Sequence, residues 1–211
     1  MIFVSTARVT DDPSDEYFRN QSFAVESWKR IADAIVFFGP HQEHLASPIT
    51  RFLPSEDYPL LRDVVNFCAD QTEWCAIVNA DIWIHPVLKR LEAKLKSKKA
   101  VAASSWRFEF DPARGVEPCE KVDNGLDFFA ATPGVWEMIY QQDAPKYLRL
   151  GAPTWDSWLQ GAFFARCSSG LYDLTDTRCV RHPKHAGRKH GGGVKAVHYI
   201  GWPCMGISIL Q

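Results

Sequence analysis

The 211-residue sequence predicts an α/β fold: a mainly parallel central sheet with helices on both faces and an α+β character in its C-terminal half. Two observations predict it. Short β-like runs and helix-period segments alternate through the N-terminal half, the rhythm of strands joined by crossover helices. The run WCAIVNADIWI, Trp74 to Ile84, opens with the continuous apolar residues of a strand buried on both faces, then sets Asn79 and Asp81 close together in a place a buried strand should avoid.

Taken in order, Ile2 to Ser5 is a short strand, and the acidic, proline-containing Asp11 to Glu16 is a surface loop. Ala24, Trp28, Ile31 and Ile35 share one helical face, and AIVFFGP from Ala34 opens a second strand ended by Gly39 and Pro40. Leu61, Val64, Val65 and Cys68 mark a second helix, expected to start near Ser55 with Glu56 or Asp57 in its first turn. It leads into the strand at Cys75. A third helix follows Pro86, with Val87, Leu88, Leu91 and Leu95 as its apolar stripe and the lysines from Lys89 to Lys99 as its solvated face.

Beyond Ala100 the rhythm changes. VAASSWRFEF and GLDFFAAT read as strands, TPGVWEMI as a helix starting at Pro133, and WDSWLQGAFFA as a further helix. The segment from Arg178 to His198 carries Arg178, Arg181, Lys184, Arg188, Lys189 and Lys195, no acidic residue and the Gly191 to Gly193 run, and is expected to be a mobile basic loop. No repeat or linker divides the chain, so residues 1–211 are expected to form one domain.

The balance of 24 basic and 25 acidic residues excludes a globally polycationic nucleic-acid binder while leaving room for a local basic face. The six cysteines, Cys68, Cys75, Cys119, Cys167, Cys179 and Cys204, show neither CxxC pairing nor zinc-ribbon spacing and are expected as reduced thiols. The start MIFVSTARV lacks an export signal, and there is no apolar run of about 18 residues, so a soluble, cytoplasmic protein without membrane partners is expected.

In an open α/β sheet ligands gather at the carboxyl ends of the strands. An Asn-Ala-Asp element there supplies hard oxygen ligands for Mg²⁺ or Mn²⁺, an arrangement suited to a nucleoside diphosphate. The structural alternative is that Asn79 caps a turn and Asp81 caps the helix near Pro86.

Four segments, RNQSFAVESWKRIADAIVFFGP (Arg19 to Pro40), AIVNADIWI, DNGLDFFAATPGVWEMI (Asp123 to Ile139) and APTWDSWL (Ala152 to Leu159), together resemble the GT-A-fold glycosyltransferases of the nucleotide-diphospho-sugar transferase superfamily. The resemblance implies a single GT-A-like, Rossmann-like domain, with residues 1–99 binding the nucleotide and 100–211 the acceptor. It places Asn79-Ala80-Asp81 at the DxD motif, with Asn79 departing from the first Asp and Asp81 binding Mn²⁺ or Mg²⁺. It sets Ser5, Thr6 and Arg8 against the nucleotide of a UDP-sugar donor, although Arg8 also reads as an ordinary surface arginine.

The resemblance further implies a carboxylate base for an acceptor hydroxyl. Asp156, between Trp155 and Trp158, is the first candidate, with a helix N-cap as its structural alternative. Asp127 is the second, able instead to bind acceptor hydroxyls or to pair with an arginine such as Arg107. Trp155 and Trp158 offer faces for an acceptor sugar, with one of the two expected to be exposed and core packing as the alternative. His182 or His185 would complete the metal site. Arg181, Lys184, Arg188 and Lys189 would neutralise the departing diphosphate under a closing loop, or grip nucleic-acid phosphates. The acceptor is accordingly a glycan or a hydroxymethylated pyrimidine in DNA.

Two rivals stand beside glycosyl transfer. A sugar-phosphate nucleotidyltransferase would share the topology and the metal, but STARVTDDPSD lacks a glycine-rich phosphate cradle after the first strand. A non-catalytic nucleotide- or glycan-binding protein on the same scaffold is favoured by Asn79 alone.

Overall fold

The computed structural model describes residues 1–184 except 11, 56, 57, 98, 99, 118, 119, 143–146 and 168. Among these, strands and helices follow the order β1 (Ile2–Ser5), α1 (Glu16–Trp28), β2 (Ala34–Phe38), β3 (Thr50–Leu53), α2 (Leu61–Ala69), β4 (Cys75–Val78), β5 (Trp83–Ile84), α3 (Val87–Ser97), β6 (Ala102–Phe110), β7 (Glu120–Ala131), α4 (Pro133–Tyr140), α5 (Trp155–Cys167), β8 (Leu171–Asp173) and β9 (Val180–Pro183).

All the strands join one sheet in the order β3-β2-β1-β4-β7-β6-β9-β5, with β8 also pairing β6. Strands β1 to β4 are mutually parallel, β7 enters antiparallel between β4 and β6, β8 and β9 run parallel to β6, and β5 closes the far edge antiparallel to β9. The expected α/β class holds, with a parallel first half and mixed polarity beyond it.

Side chains alternate across each strand, so the sheet feeds two cores. Phe3, Phe37, Ala76 and Phe128 pack with Trp28 of α1 and Leu88 of α3 on one face. Val4, Val36, Ile77 and Phe129 pack with Val64 of α2, Trp136 of α4 and Phe163 of α5 on the other. Both indoles satisfy their N–H inside the core, Trp28 donating to the Ile82 carbonyl at 2.7 Å and Trp136 to the Cys75 carbonyl at 3.2 Å.

Several boundaries differ from the sequence reading. Helix α1, capped by the Asp15 carboxylate on the Tyr17 N–H, stops at Trp28. Ile31 therefore lies in the following turn, and Ile35 belongs to β2, where its N–H donates to the Ile49 carbonyl. Helix α2 begins at Leu61, not near Ser55, because Pro59 disfavours helix at Tyr58, and the acid in its first turn is Asp63. Strand β3 was not foreseen: it is a partly exposed edge strand with little apolar signal. The buried run at Trp74 divides, for β4 ends at Val78 and the chain crosses from mid-sheet to the edge strand β5. The start of the expected basic loop is instead the buried strand β9, its polar residues held by pairing with β5 and β6.

Candidate active site

The crossover from β4 to β5 carries Asn79 and Asp81 over the ends of the intervening strands, and sheet register decides what they meet there. Val78 pairs with Phe128, which brings Asp127 level with Asn79. On the other side of β7, Ser105 pairs with Phe128 but Trp106 pairs with Leu126, so Asp127 is the extra residue of a β-bulge. Core membership reports the same irregularity: Phe128 and Leu126, two apart in sequence, face opposite cores. A regular strand would send both to one face. The bulge releases Asp127 from the alternation and turns it along the sheet's rim. Further on, Glu109 pairs with His182 of β9, completing the row.

Asp127 is 1% exposed and held from two sides. Asn79 Nδ2 donates to Oδ1 at 2.5 Å, and Arg107 donates to Oδ2 at 2.6 Å. A buried carboxylate is tolerated only with this kind of compensation. His182 Nε2 lies 3.2 Å from Asp81 Oδ2, with the histidine side chain 11% and the aspartate side chain 20% exposed. Burial would push the His182 pKa down, but the hydrogen bond and charge of Asp81 outweigh it and the net shift is upward.

Asp156, in the first turn of α5, is half-buried and accepts the Ser157 N–H at 2.8 Å. Burial raises its pKa, the charge of Asp127 adds to the rise, and Arg107 opposes it. Asp156, Asp127, Arg107, Asp81 and His182 thus feel one another's charges at one end of the sheet. The cluster holds three carboxylates against one arginine and one histidine.

At the end of β1, Ser5 and Thr6 are buried. The Ser5 hydroxyl donates to the Val78 carbonyl at 2.6 Å, tying β1 to the base of the Asn79 turn, and the Thr6 hydroxyl donates to the Phe38 carbonyl at 2.9 Å. Both hydroxyls therefore join strand ends. Arg8 lies over the Tyr17 ring at 4.1 Å, and its backbone N–H and carbonyl are clamped by the Gln21 amide at 2.6 and 3.1 Å. Phe38 also lines a cleft of about 310 Å³ with Pro54, Ser55, Pro59, Leu60, Asp63 and Arg149. This cleft adjoins the end of β1 and shares no lining residue with the carboxylate cluster.

Other expected site residues sit elsewhere. Trp155 is a core residue, 3% exposed and edge-on to Phe129 at 5.9 Å, so its faces are closed to a sugar; Trp158 is the partly exposed member of the pair. Arg181 is spent on the fold: Nε donates to the Arg178 carbonyl at 3.0 Å, another N–H donates to the Val116 carbonyl, and the guanidinium lies over Trp83. Lys184 stands 3.9 Å from Glu109. His185, Arg188, Lys189 and the glycine run lie outside the described residues. Sequence reasoning missed Gln21, the cleft and the bulge. Only Gln21 left a trace, as a polar residue one helical turn before Ala24 and Val25 on the buried face of α1.

Asp81 offers an oxygen donor that suits Mn²⁺ or Mg²⁺, and the added imidazole nitrogen of His182 fits Mn²⁺ better than Mg²⁺, with substrate and water to fill the remaining positions. Among the described residues, no group of three or more His, Cys, Asp or Glu side chains is placed to hold a metal by itself. The described cysteines Cys68, Cys75, Cys167 and Cys179 are free thiols, and no described helix is long and apolar enough to cross a membrane.

No family model matches the chain, and no curated protein matches it. Among solved structures it is similar to a protein described as a glucose-1-phosphate thymidylyltransferase from Bacillus anthracis, in complex with sucrose, at 12% identity over 82% of this chain and 84% of that chain, TM-score 0.48. It is also similar to 4-diphosphocytidyl-2C-methyl-D-erythritol synthase from Anaerococcus prevotii, at 12% identity over 82% of this chain and 86% of that chain, TM-score 0.49. At this level the likeness concerns the path of the chain and assigns no residue a role.

Proposed function

We propose that the chain is a transferase that moves a sugar from a nucleoside-diphosphate donor, UDP-sugar first among them, to an acceptor hydroxyl. The observation that carries this reading is the division of labour between two neighbouring aspartates. Asp127 has both oxygens committed, to Asn79 and to Arg107, and so is a positioning residue. Asp156 faces the same cluster with its pKa raised by burial and by Asp127, the state suited to a general base.

In the proposed step the acceptor oxygen bonds to the anomeric carbon while the carbon–oxygen bond to the diphosphate breaks. The bonding pair leaves with the nucleoside diphosphate, and the acceptor's proton passes to the Asp156 carboxylate. A divalent cation bound by Asp81 and His182 would supply positive charge for the departing diphosphate. Asp127 fixes Arg107 and Asn79 at the rim, and the cleft lined by Phe38, Pro59 and Leu60 together with Ser55, Asp63 and Arg149, of mixed polarity, suits a nucleobase or a sugar. A glycan acceptor suits the partly exposed ring of Trp158.

Nucleotidyl transfer to a sugar phosphate, the chemistry that the first similar structure's name describes, is the second reading. It shares the cation but attacks with an oxygen that is already anionic, so it needs no base. Nucleotidyl transfer leaves Asp156 without a role, which is why the hydroxyl acceptor stands first.

Melting temperature measured with UDP-glucose and with dTTP, each with and without Mn²⁺, tests the proposal. A Mn²⁺-dependent rise with UDP-glucose that Asp81→Ala abolishes is expected, because a ligand that binds only the folded state stabilises it by mass action. A rise with dTTP alone, together with nucleotidyl transfer that survives Asp156→Asn, would install the second reading. Absence of any shift with either nucleotide would overturn both.

A further inference from the structure

The segment Gly151-Ala152-Pro153-Thr154 that delivers α5 has an unusual backbone. Gly151 has φ +86° and Thr154 φ +80°. Glycine adopts such angles freely, whereas a β-branched residue there is strained. The residues preceding α1, α2 and α4 (Asp15, Leu60 and Thr132) all hold extended backbone with φ between −62° and −69°. Thr154 is exposed, so no buried contact of its own offsets the strain.

What the turn accomplishes lies on either side of it. Upstream, Gly151 is wedged against Tyr58 and the end of β1: a Cβ there would stand 2.9 Å from two Tyr58 ring carbons and 3.0 Å from the Thr6 methyl. Pro153 stiffens the stretch between. Downstream, Trp155 drops into the core against Phe129 of β7, two residues from Asp127, and Asp156 follows directly, within reach of the charges of Asp127 and Arg107. The strut therefore runs from the end of β1 to the first turn of α5.

We infer that the left-handed backbone of Thr154 is a positioning device, which turns the chain so that Trp155 is buried and Asp156 is held at the carboxylate cluster. This rests on the reading of Asp156 as the base, but the property tested is the placement of its carboxyl, which does not depend on which substrate is used.

The test compares the full chain with Thr154→Gly and Thr154→Pro, without substrate, by thermal melting and by carboxyl NMR titration of Asp156. Thr154→Gly relieves the strain and is expected to raise the melting temperature by about 2–4 °C. Because glycine keeps the left-handed turn, the Asp156 titration is expected to stay at its wild-type position in that variant. Thr154→Pro cannot adopt a positive φ, so the turn is lost, Asp156 becomes more solvated and its pKa falls toward the ordinary carboxylate range.

An unchanged or lowered melting temperature in Thr154→Gly would show that no strain is stored there and overturn the inference. A folded Thr154→Pro variant with the Asp156 titration unmoved would show strain without positioning and overturn it equally. A Thr154→Gly variant that shifts Asp156 would assign its placement to the threonine side chain, not to the turn, and overturn the inference as well. None of these outcomes depends on whether UDP-glucose binds, so failure here is distinguishable from failure of the glycosyl-transfer reading.

Discussion

Asn79 donates through its amide to the buried Asp127 at 2.5 Å, so a carboxylate at position 79, as in the usual DxD pattern, would face another carboxylate at contact distance. Two unit charges about 3 Å apart repel by about 5 kcal/mol at an effective dielectric of about 20. The folded variant Asn79→Asp has a cheaper route, which is to keep one proton between the two groups. Placing a proton from pH 7 solution on a carboxyl of ordinary pKa near 3.9 costs about 4 kcal/mol, and this sets the ceiling at neutrality.

The sign follows from that proton. The pair's folded pKa is raised above the unfolded value, so the penalty is nearly absent at pH 4, grows by about 1.4 kcal/mol per unit as pH rises, and levels off above the folded pKa. Asn79→Ala removes the hydrogen bond to a charged group, about 1.5–3 kcal/mol, with little added dependence on pH. Urea unfolding of the wild type and both variants at pH 4, 5.5 and 7 measures this. If the deficit of Asn79→Asp is the same at pH 4 and pH 7, Asn79 and Asp127 do not face each other as described.

Further outcomes follow from the same geometry. On the glycosyl-transfer reading, Asp156→Asn is expected to abolish transfer from UDP-glucose to a hydroxyl yet raise the melting temperature, more at pH 8 than at pH 4, because the raised pKa of Asp156 means that its ionised form costs stability as pH rises through that pKa. For His182 the shift is also upward, so its pairing with Asp81 contributes stability that is complete below about pH 6.5 and is lost as pH rises through the folded pKa. In melts with EDTA, Asp81→Asn should therefore lose more at pH 5.5 than at pH 9. Gly151→Ala combines a left-handed φ of +86° with collision against Tyr58 and Thr6 and should cost about 1–3 kcal/mol in urea unfolding, of which Tyr58→Ala restores only the steric part.

The helix and strand periods of Ala24 and Trp28, of Val64 and Cys68, and of Leu88 and Leu95 were legible because each marks a face that packs on the sheet. The polar tip at Asn79 and Asp81, the buried Asp127 with Arg107 as its partner, and Asp156 at a helix start were legible too, since a polar group at the border of an apolar run needs a reason. Strand β9 was not, because its burial comes from pairing with β5 and β6 and not from its own basic residues. Trp155 and Arg181 were placed at the substrate because composition says what a side chain can do, not what already occupies it.

By itself the sequence determined the α/β class, the succession of most elements and the residue types from which a cation and base site can be built, for these follow from local hydrophobic period and polarity. Tertiary structure alone decided the company that each residue keeps. The crossover from mid-sheet to edge, the bulge that frees Asp127 and the left-handed turn at Thr154 join positions 79, 81, 107, 127, 156 and 182 through strand register and chain direction. Register is a relation between distant segments, and no window of neighbouring residues contains it.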